Sequence, residues 1–207
     1  MAASVVTVGA PAQEHMEEPP QVEIECLKRD NPTVVQQLAS LHHDGFGSKR
    51  CCLCFGDSQG EIASSLRSGV ATVPDSKLSA YGVAMLDGEA VGFAQLGFHD
   101  TPGDFLMPSI FQSTPRVGTC HLERIVVSSK MRGKGIGQKL LHWVDSKARD
   151  RGCSKVMLEV VSGNPAKGLY ERHGYVSHTP VYQKVCMCPC IFCLMGYIYV
   201  DVMNKPL

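Results

Sequence analysis

The sequence carries no excess charge of either sign: 20 Lys and Arg stand against 20 Asp and Glu in 207 residues. A dedicated binder of nucleic acid or of an anionic membrane surface shows a basic excess, so neither class is expected. Long apolar runs are missing too. The uncharged stretch Val185 to Val200 is short for a membrane span and is interrupted by Pro189, so it reads as strand and loop. The first 20 residues lack the basic start and apolar core of a secretory leader and the arginines of a transit peptide, and they carry Glu14, Glu17 and Glu18. A cytoplasmic protein is the expectation. Two phosphate-binding motifs are absent as well. Counting G-x-G-x-x-G from Gly133 or Gly135 puts the third glycine at Gln138 or Leu140, and no G-x-x-x-x-G-K-[ST] occurs.

Cysteine is not scarce: there are ten. Without export they are free thiols or metal ligands rather than disulfides. Cys51, Cys52 and Cys54 form one cluster, and Cys186, Cys188, Cys190 and Cys193 form another. Packed thiols, a zinc site and lipidation or redox sensing all remain open for them. The spacing C-x-C-P-C-x-x-C is not the usual pair of C-x-x-C units, and no metal ligand is assigned.

The length suits one domain. Residues 1–21, small, proline-containing and acidic, read as a disordered tail, and the domain runs from 22 to 207. Val22 to Leu27 alternates as a first strand. Asn31-Pro32 opens a helix that ends near Gly45 to Gly47, and Ile62 to Leu66 suggests a second. Leu78 to Leu86 and Ala90 to Phe98 flank Asp87-Gly88 as a hairpin. His99 to Arg116 reads as a loop, and Gly118 to Val127 as the next strand. Ile136, Leu140, Leu141, Val144 and Ala148 lie on one helical stripe that Gly152 stops. Val156 to Val160 alternates again. Asn164-Pro165 starts a short helix ended by Gly174. Tyr175 to Val185 and Ile198 to Met203 are the last two strands.

Chemistry concentrates between His121 and Gly137, HLERIVVSSKMRGKGIG. A strand feeds a glycine-rich turn at a helix N-terminus. There the amides are unpaired, the helix dipole is positive, and missing side chains let a phosphate approach. The pattern R-x-x-G-x-G from Arg132 to Gly137 resembles the pyrophosphate loop of the GNAT superfamily of N-acetyltransferases. The element order β-α-α-β-β-β-α-β-α-β-β resembles that family from about Val22 to Met203. The resemblance implies an α/β fold: a single GNAT-type domain with a mixed, mostly antiparallel central sheet flanked by helices. It also implies acetyl-CoA as cosubstrate and an amine acceptor, small molecule or protein.

Residue by residue, the resemblance assigns the pyrophosphate to the backbone of Arg132, Gly133, Lys134, Gly135, Ile136, Gly137 and Gln138. It assigns the pantetheine arm to Ile125, Val126 and Val127, where the family splays two strands and an N–H near Val127 is left to hold the oxyanion. Ser129 stands where the family often has proline. The side chains of Arg132 and Lys134 either add charge at the phosphates or form a solvated basic turn. Glu123 is the candidate general base; strand alternation would put it on one face with Ile125 and Val127. A structural salt bridge, with Arg124 or another arginine, and binding of the substrate amine without proton transfer are the other readings. His121 on the same face is the reserve base. Tyr170 in LYERHGY matches the tyrosine aimed at the CoA sulfur as general acid; core packing is its alternative. Asn164 either contacts pantetheine or caps the helix, its spacing to Tyr170 being one residue shorter than the common family pattern. Acetyl transfer would be direct, in a ternary complex. The competing class is a non-catalytic acyl-CoA-binding or zinc-binding module with this fold.

Overall fold

The computed structural model describes residues 21–47, 58–103, 114–161, 163–178 and 200–207. Both cysteine clusters and nearly all of the N-terminal tail lie outside them.

Seven strands form one sheet in the order β1-β2-β3-β4-β5-β7-β6. They are β1 (Glu23–Cys26), β2 (Tyr81–Leu86), β3 (Glu89–Gly97), β4 (Thr119–Val127), β5 (Lys155–Val161), β6 (Val176–Ser177) and β7 (Val200–Pro206). All neighbours are antiparallel except β4 and β5. That parallel pair needs a crossover, and α4 (Ile136–Asp150) supplies it. The remaining helices are α1 (Pro32–His42), α2 (Gln59–Thr72), α3 (Asp75–Leu78) and α5 (Lys167–Arg172). The mixed, mostly antiparallel sheet expected from the sequence is therefore present.

Local chemistry explains most boundaries. Asn31 Oδ1 accepts from Val34 N and Pro32 opens α1. Ser58 and Glu61 form a capping box at α2. Asp87 and Gly88 turn the β2–β3 hairpin with φ of 50° and 82°. Two differences stand out. The run read as a strand from Leu78 begins on the last residue of the short helix α3, and the strand starts only at Tyr81. Of the strand expected over Tyr175 to Val185, Val176–Ser177 is described, and residues 179–199 lie outside the described set.

Each face of the sheet has its own core. On one side Leu140, Leu141, Val144 and Ala148 of α4 pack on Leu96, Leu122, Val156 and Leu158. On the other, α1 and α2 bury Leu38, Ala39, Ile62 and Leu66 against Val83, Phe93 and Val126. Burying a side chain of this size contributes about 1.5–3 kcal/mol, so these two layers fix where β4 and its loop sit. Gly82 is required by contact: a Cβ there would lie 2.6 Å from the ring of Trp143.

Candidate functional site

Strand β4 ends at Val127, and a single 3-10 turn (Ser129–Met131) leads into the glycine-rich loop. Gly133 and Gly135 both have φ of +77°, a region costly for any residue with a Cβ. A Cβ on either would meet nothing within 4 Å, so backbone conformation, not crowding, demands glycine there. Gly135 caps α4 without a side-chain partner. Lys139 N takes the first helical bond, to Gly135 O, which leaves the amides of Ile136, Gly137 and Gln138 outside the helical ladder. Gly137 lies where three elements meet: a Cβ there would be 3.0 Å from Leu169 of α5 and 3.9 Å from Val127 of β4. Arg132 Nε donates to Val127 O at 3.3 Å, and Lys134 Nζ sits 3.7 Å from Met131 Sδ.

The parallel pairing of β4 with β5 covers three positions and stops at His121 opposite Met157. Beyond it, β4 runs on to Val127 paired with β3 alone. Ser128 N donates to Val91 O, and Val126 O points to Gly92, both on β3. Backbone groups alternate along a strand, so the N–H groups of Ile125 and Val127 point to the opposite edge, where β5 has diverged.

Glu123 sits at an irregularity that sequence alternation could not reveal. Gln95 pairs with Arg124 and Leu96 with Leu122, so Glu123 is the extra residue of a bulge on β4. Leu122, Ile125 and Val127 consequently all pack toward the α4 side. The expectation that Glu123 shares a face with Ile125 and Val127 is corrected by that bulge. Its carboxylate lies 12% exposed and accepts from Lys77 Nζ at 3.0 Å and from Gln95 Nε2 at 2.6 Å. The salt-bridge partner is thus Lys77, not an arginine. Arg124 instead donates to Gln95 Oε1 at 3.0 Å.

His121 stands at the last paired position of the two strands. Its Nε2 is 2.5 Å from Glu159 Oε2 on β5, with His121 13% and Glu159 41% exposed. Burial pushes the imidazole pKa down, but the bond and charge of Glu159, with Glu123 nearby, outweigh it and the net shift is upward. Glu159 is itself drawn below the usual carboxylate value: burial opposes this, but His121 prevails.

Tyr170 is buried and meets Tyr175 edge to face, ring centroids 5.9 Å apart. Burial pushes its phenol up to about 12, so it keeps its proton at neutral pH. Asn164 Oδ1 accepts from Ala166 N at 3.0 Å, a turn bond just ahead of α5, whose N-cap is Ala166 rather than Asn164. A further cluster, His142, Asp145 and His173, has ligand-type atoms all within 4.8 Å of one another. Lys205 Nζ bonds Asp145 Oδ2, and that ammonium opposes a cation there.

Sequence reasoning missed Lys77, Gln95 and Glu159. Lys77 is 46 residues from its partner, and no local pattern marks such a pairing. Glu159 alternates correctly on β5, but only the β4–β5 register brings it to His121.

A family model described as the acetyltransferase (GNAT) family matches residues 54–175. Among solved structures, an acetyltransferase superposes with a TM-score of 0.61 at 19% identity, covering 89% of this chain and 98% of its own. A PaiA N-acetyltransferase from Thermoplasma acidophilum in complex with coenzyme A gives 0.54 at 15%, covering 90% and 99%. A ribosomal-protein-alanine N-acetyltransferase from Brucella melitensis gives 0.59 at 19%, covering 89% and 99%. At these identities the structural likeness speaks for the fold alone. The family match spans more than half of the sequence and includes β4, the glycine-rich loop and Tyr170, and on it this chain belongs to the GNAT family of acetyltransferases.

Proposed function

We propose that this protein transfers an acetyl group from acetyl-CoA to a primary amine by direct attack in a ternary complex. One observation carries the reading: β4 and β5 part company at His121, and the free edge of β4 runs straight to the glycine-rich opening of α4. The residues fit the cosubstrate. The amides of Ile136, Gly137 and Gln138, with the backbone of Arg132 to Gly135, would take the pyrophosphate at a helix N-terminus. The outward amides of Ile125 and Val127 would pair with the pantetheine arm like an added strand, with Val126 between them. The amide side of Asn164 is left for the same arm. The side chains of Arg132 and Lys134 are exposed at the loop.

Four residues separate Val127 from Glu123, roughly 13 Å of strand. A ligand anchored at the loop and laid along β4 therefore brings its far end to Glu123 and His121. In the proposed reaction the amine nitrogen bonds the acetyl carbon and the carbon–sulfur bond breaks. Glu123 receives the amine's proton through a water, the outward β4 amide of Ile125, near Val127 and two residues from Glu123, holds the oxyanion, and Tyr170 gives its proton to the leaving sulfur.

A second reading has its own observation. The Glu123 carboxylate already accepts from Lys77 and Gln95, whereas His121, oriented by Glu159, stands at the strand junction. The pair would then serve as base. Kinetics separate the two. Under the first reading Glu123→Gln and Tyr170→Phe each lower kcat by about 10²-fold or more while acetyl-CoA still binds. Full turnover in Glu123→Gln together with a collapse in His121→Asn gives the base to His121. Full turnover in Tyr170→Phe removes Tyr170 as the acid. Tight acetyl-CoA binding with no acceptor acetylated would favour a non-catalytic acyl-CoA-binding module.

A further inference from the structure

Lys77 is a side chain that neither the sequence motifs nor the family resemblance assigns. It is fully buried, on the four-residue helix α3. A buried ammonium is tolerated only with a counter-ion and with its protons satisfied. Lys77 Nζ reaches Glu123 Oε2 at 3.0 Å, Glu123 Oε1 at 3.3 Å and Leu96 O at 3.4 Å. Glu123 is its salt-bridge partner. On the other side the fully buried Gln95 donates to Glu123 Oε2, and Gln95 Oε1 is held in turn by Arg124. The chain of contacts runs Arg124 to Gln95 to Glu123 to Lys77. It closes on the residue that the β4 bulge turns out of the regular strand pattern.

The structure assigns Lys77 as a positioning residue for the transfer reaction, acting through Glu123. This rests on the reading of Glu123 as the proton acceptor. Two donors from different elements, one from α3 and one from β3, fix both the place and the rotation of a carboxylate on an irregular stretch of backbone. They leave one lone pair, on Oε1, for a water or an amine. Lys77 is also the counter-charge of this little-exposed carboxylate. Lys77 touches no reacting atom; it sets the group that does.

The test uses full-length protein, acetyl-CoA and the amine acetylated fastest among spermidine, lysine, glucosamine 6-phosphate and an alanine-initiated peptide. Lys77→Met should lower kcat about 10- to 100-fold, as a misplaced catalytic group does, with the KM for acetyl-CoA unchanged. Lys77→Arg, which keeps the charge, should recover part of the loss. In a Glu123→Gln background Lys77→Met should cost nothing further in kcat, because the residue it acts through is already gone. Where Lys77→Met does not accumulate as folded protein, Lys77→Gln gives the same three readings. Unchanged kcat in Lys77→Met, or the same fold-loss in both backgrounds, overturns the inference. Glu123→Gln at full activity, or no amine acetylated, overturns instead the reading on which it rests, and the inference with it. A slow Glu123→Gln beside an unimpaired Lys77→Met overturns the inference alone.

Discussion

Lys77 and Glu123, 46 residues apart, meet at 3.0 Å in the interior, the lysine with no exposure at all. Removing one member of such a pair strands the other in a medium that does not solvate it. Glu123→Gln should therefore destabilise the fold by about 3–5 kcal/mol. The double variant Lys77→Met/Glu123→Gln should regain much of that loss, because it strands nothing. Denaturant unfolding of the four proteins gives the coupling directly; additive effects would mean that the pair contributes no mutual stabilisation.

The His121–Glu159 pair predicts a pH window. His121 has a raised pKa in the fold, so its contribution is complete below the ordinary value of 6.5 and is lost as pH climbs through the raised one. Glu159 has a lowered pKa, so its contribution is complete above 4.5 and is lost as pH falls through the lowered one. The stability difference between wild type and His121→Asn should be largest between those ordinary values and shrink on both sides. Thermal unfolding from acid to alkaline pH reads it, and a difference that grows above neutrality would contradict the pairing.

Gly135→Val tests the loop. With open space around the position, its penalty comes from backbone strain at φ of +77°, about 1–3 kcal/mol. Acetyl-CoA binding, followed by calorimetry, should be lost while the protein remains folded. Gly137→Val differs in kind, because its side chain meets Leu169. A Gly135→Val protein that binds acetyl-CoA like wild type would remove the loop from the site.

Tyr170→Phe keeps the ring that packs against Tyr175 and removes only the hydroxyl. Folding stability should change by less than about 1 kcal/mol, since no hydrogen-bond partner of that hydroxyl occurs among the described residues. Turnover should fall with little change in KM. A variant that loses stability but keeps kcat would mark Tyr170 as a packing residue.

Much of this architecture is legible in the sequence because its signals are local. Asn31-Pro32 opens α1, Asp87-Gly88 turns a hairpin, Gly152 and Gly174 adopt positive φ beyond the ends of α4 and α5, and the alternation of β5 marks its buried face. The glycine-rich loop is legible for the same reason. The bulge at Glu123 is not, because it is defined by β3, whose register with β4 depends on pairing across the intervening loop. Helix α3 is too short for a periodic pattern, so Lys77 fell just outside every element read from the sequence, immediately before the strand expected from Leu78. The counter-ion of Glu123 and the partner of His121 both arrive from other elements, 46 and 38 residues away. The site's backbone is thus written locally, while the arrangement of its charges emerges only with the fold.

Acetyl transfer to a primary amine is read out by incubating the protein with acetyl-CoA and an amine panel and weighing the products. The panel should hold amino sugars and their phosphates, polyamines, aminoglycosides, lysine peptides and peptides with free N-termini. One class should gain the mass of an acetyl group on nitrogen, and Gly135→Val should abolish the gain. Tight acetyl-CoA binding with every amine recovered unchanged would contradict the proposed transfer.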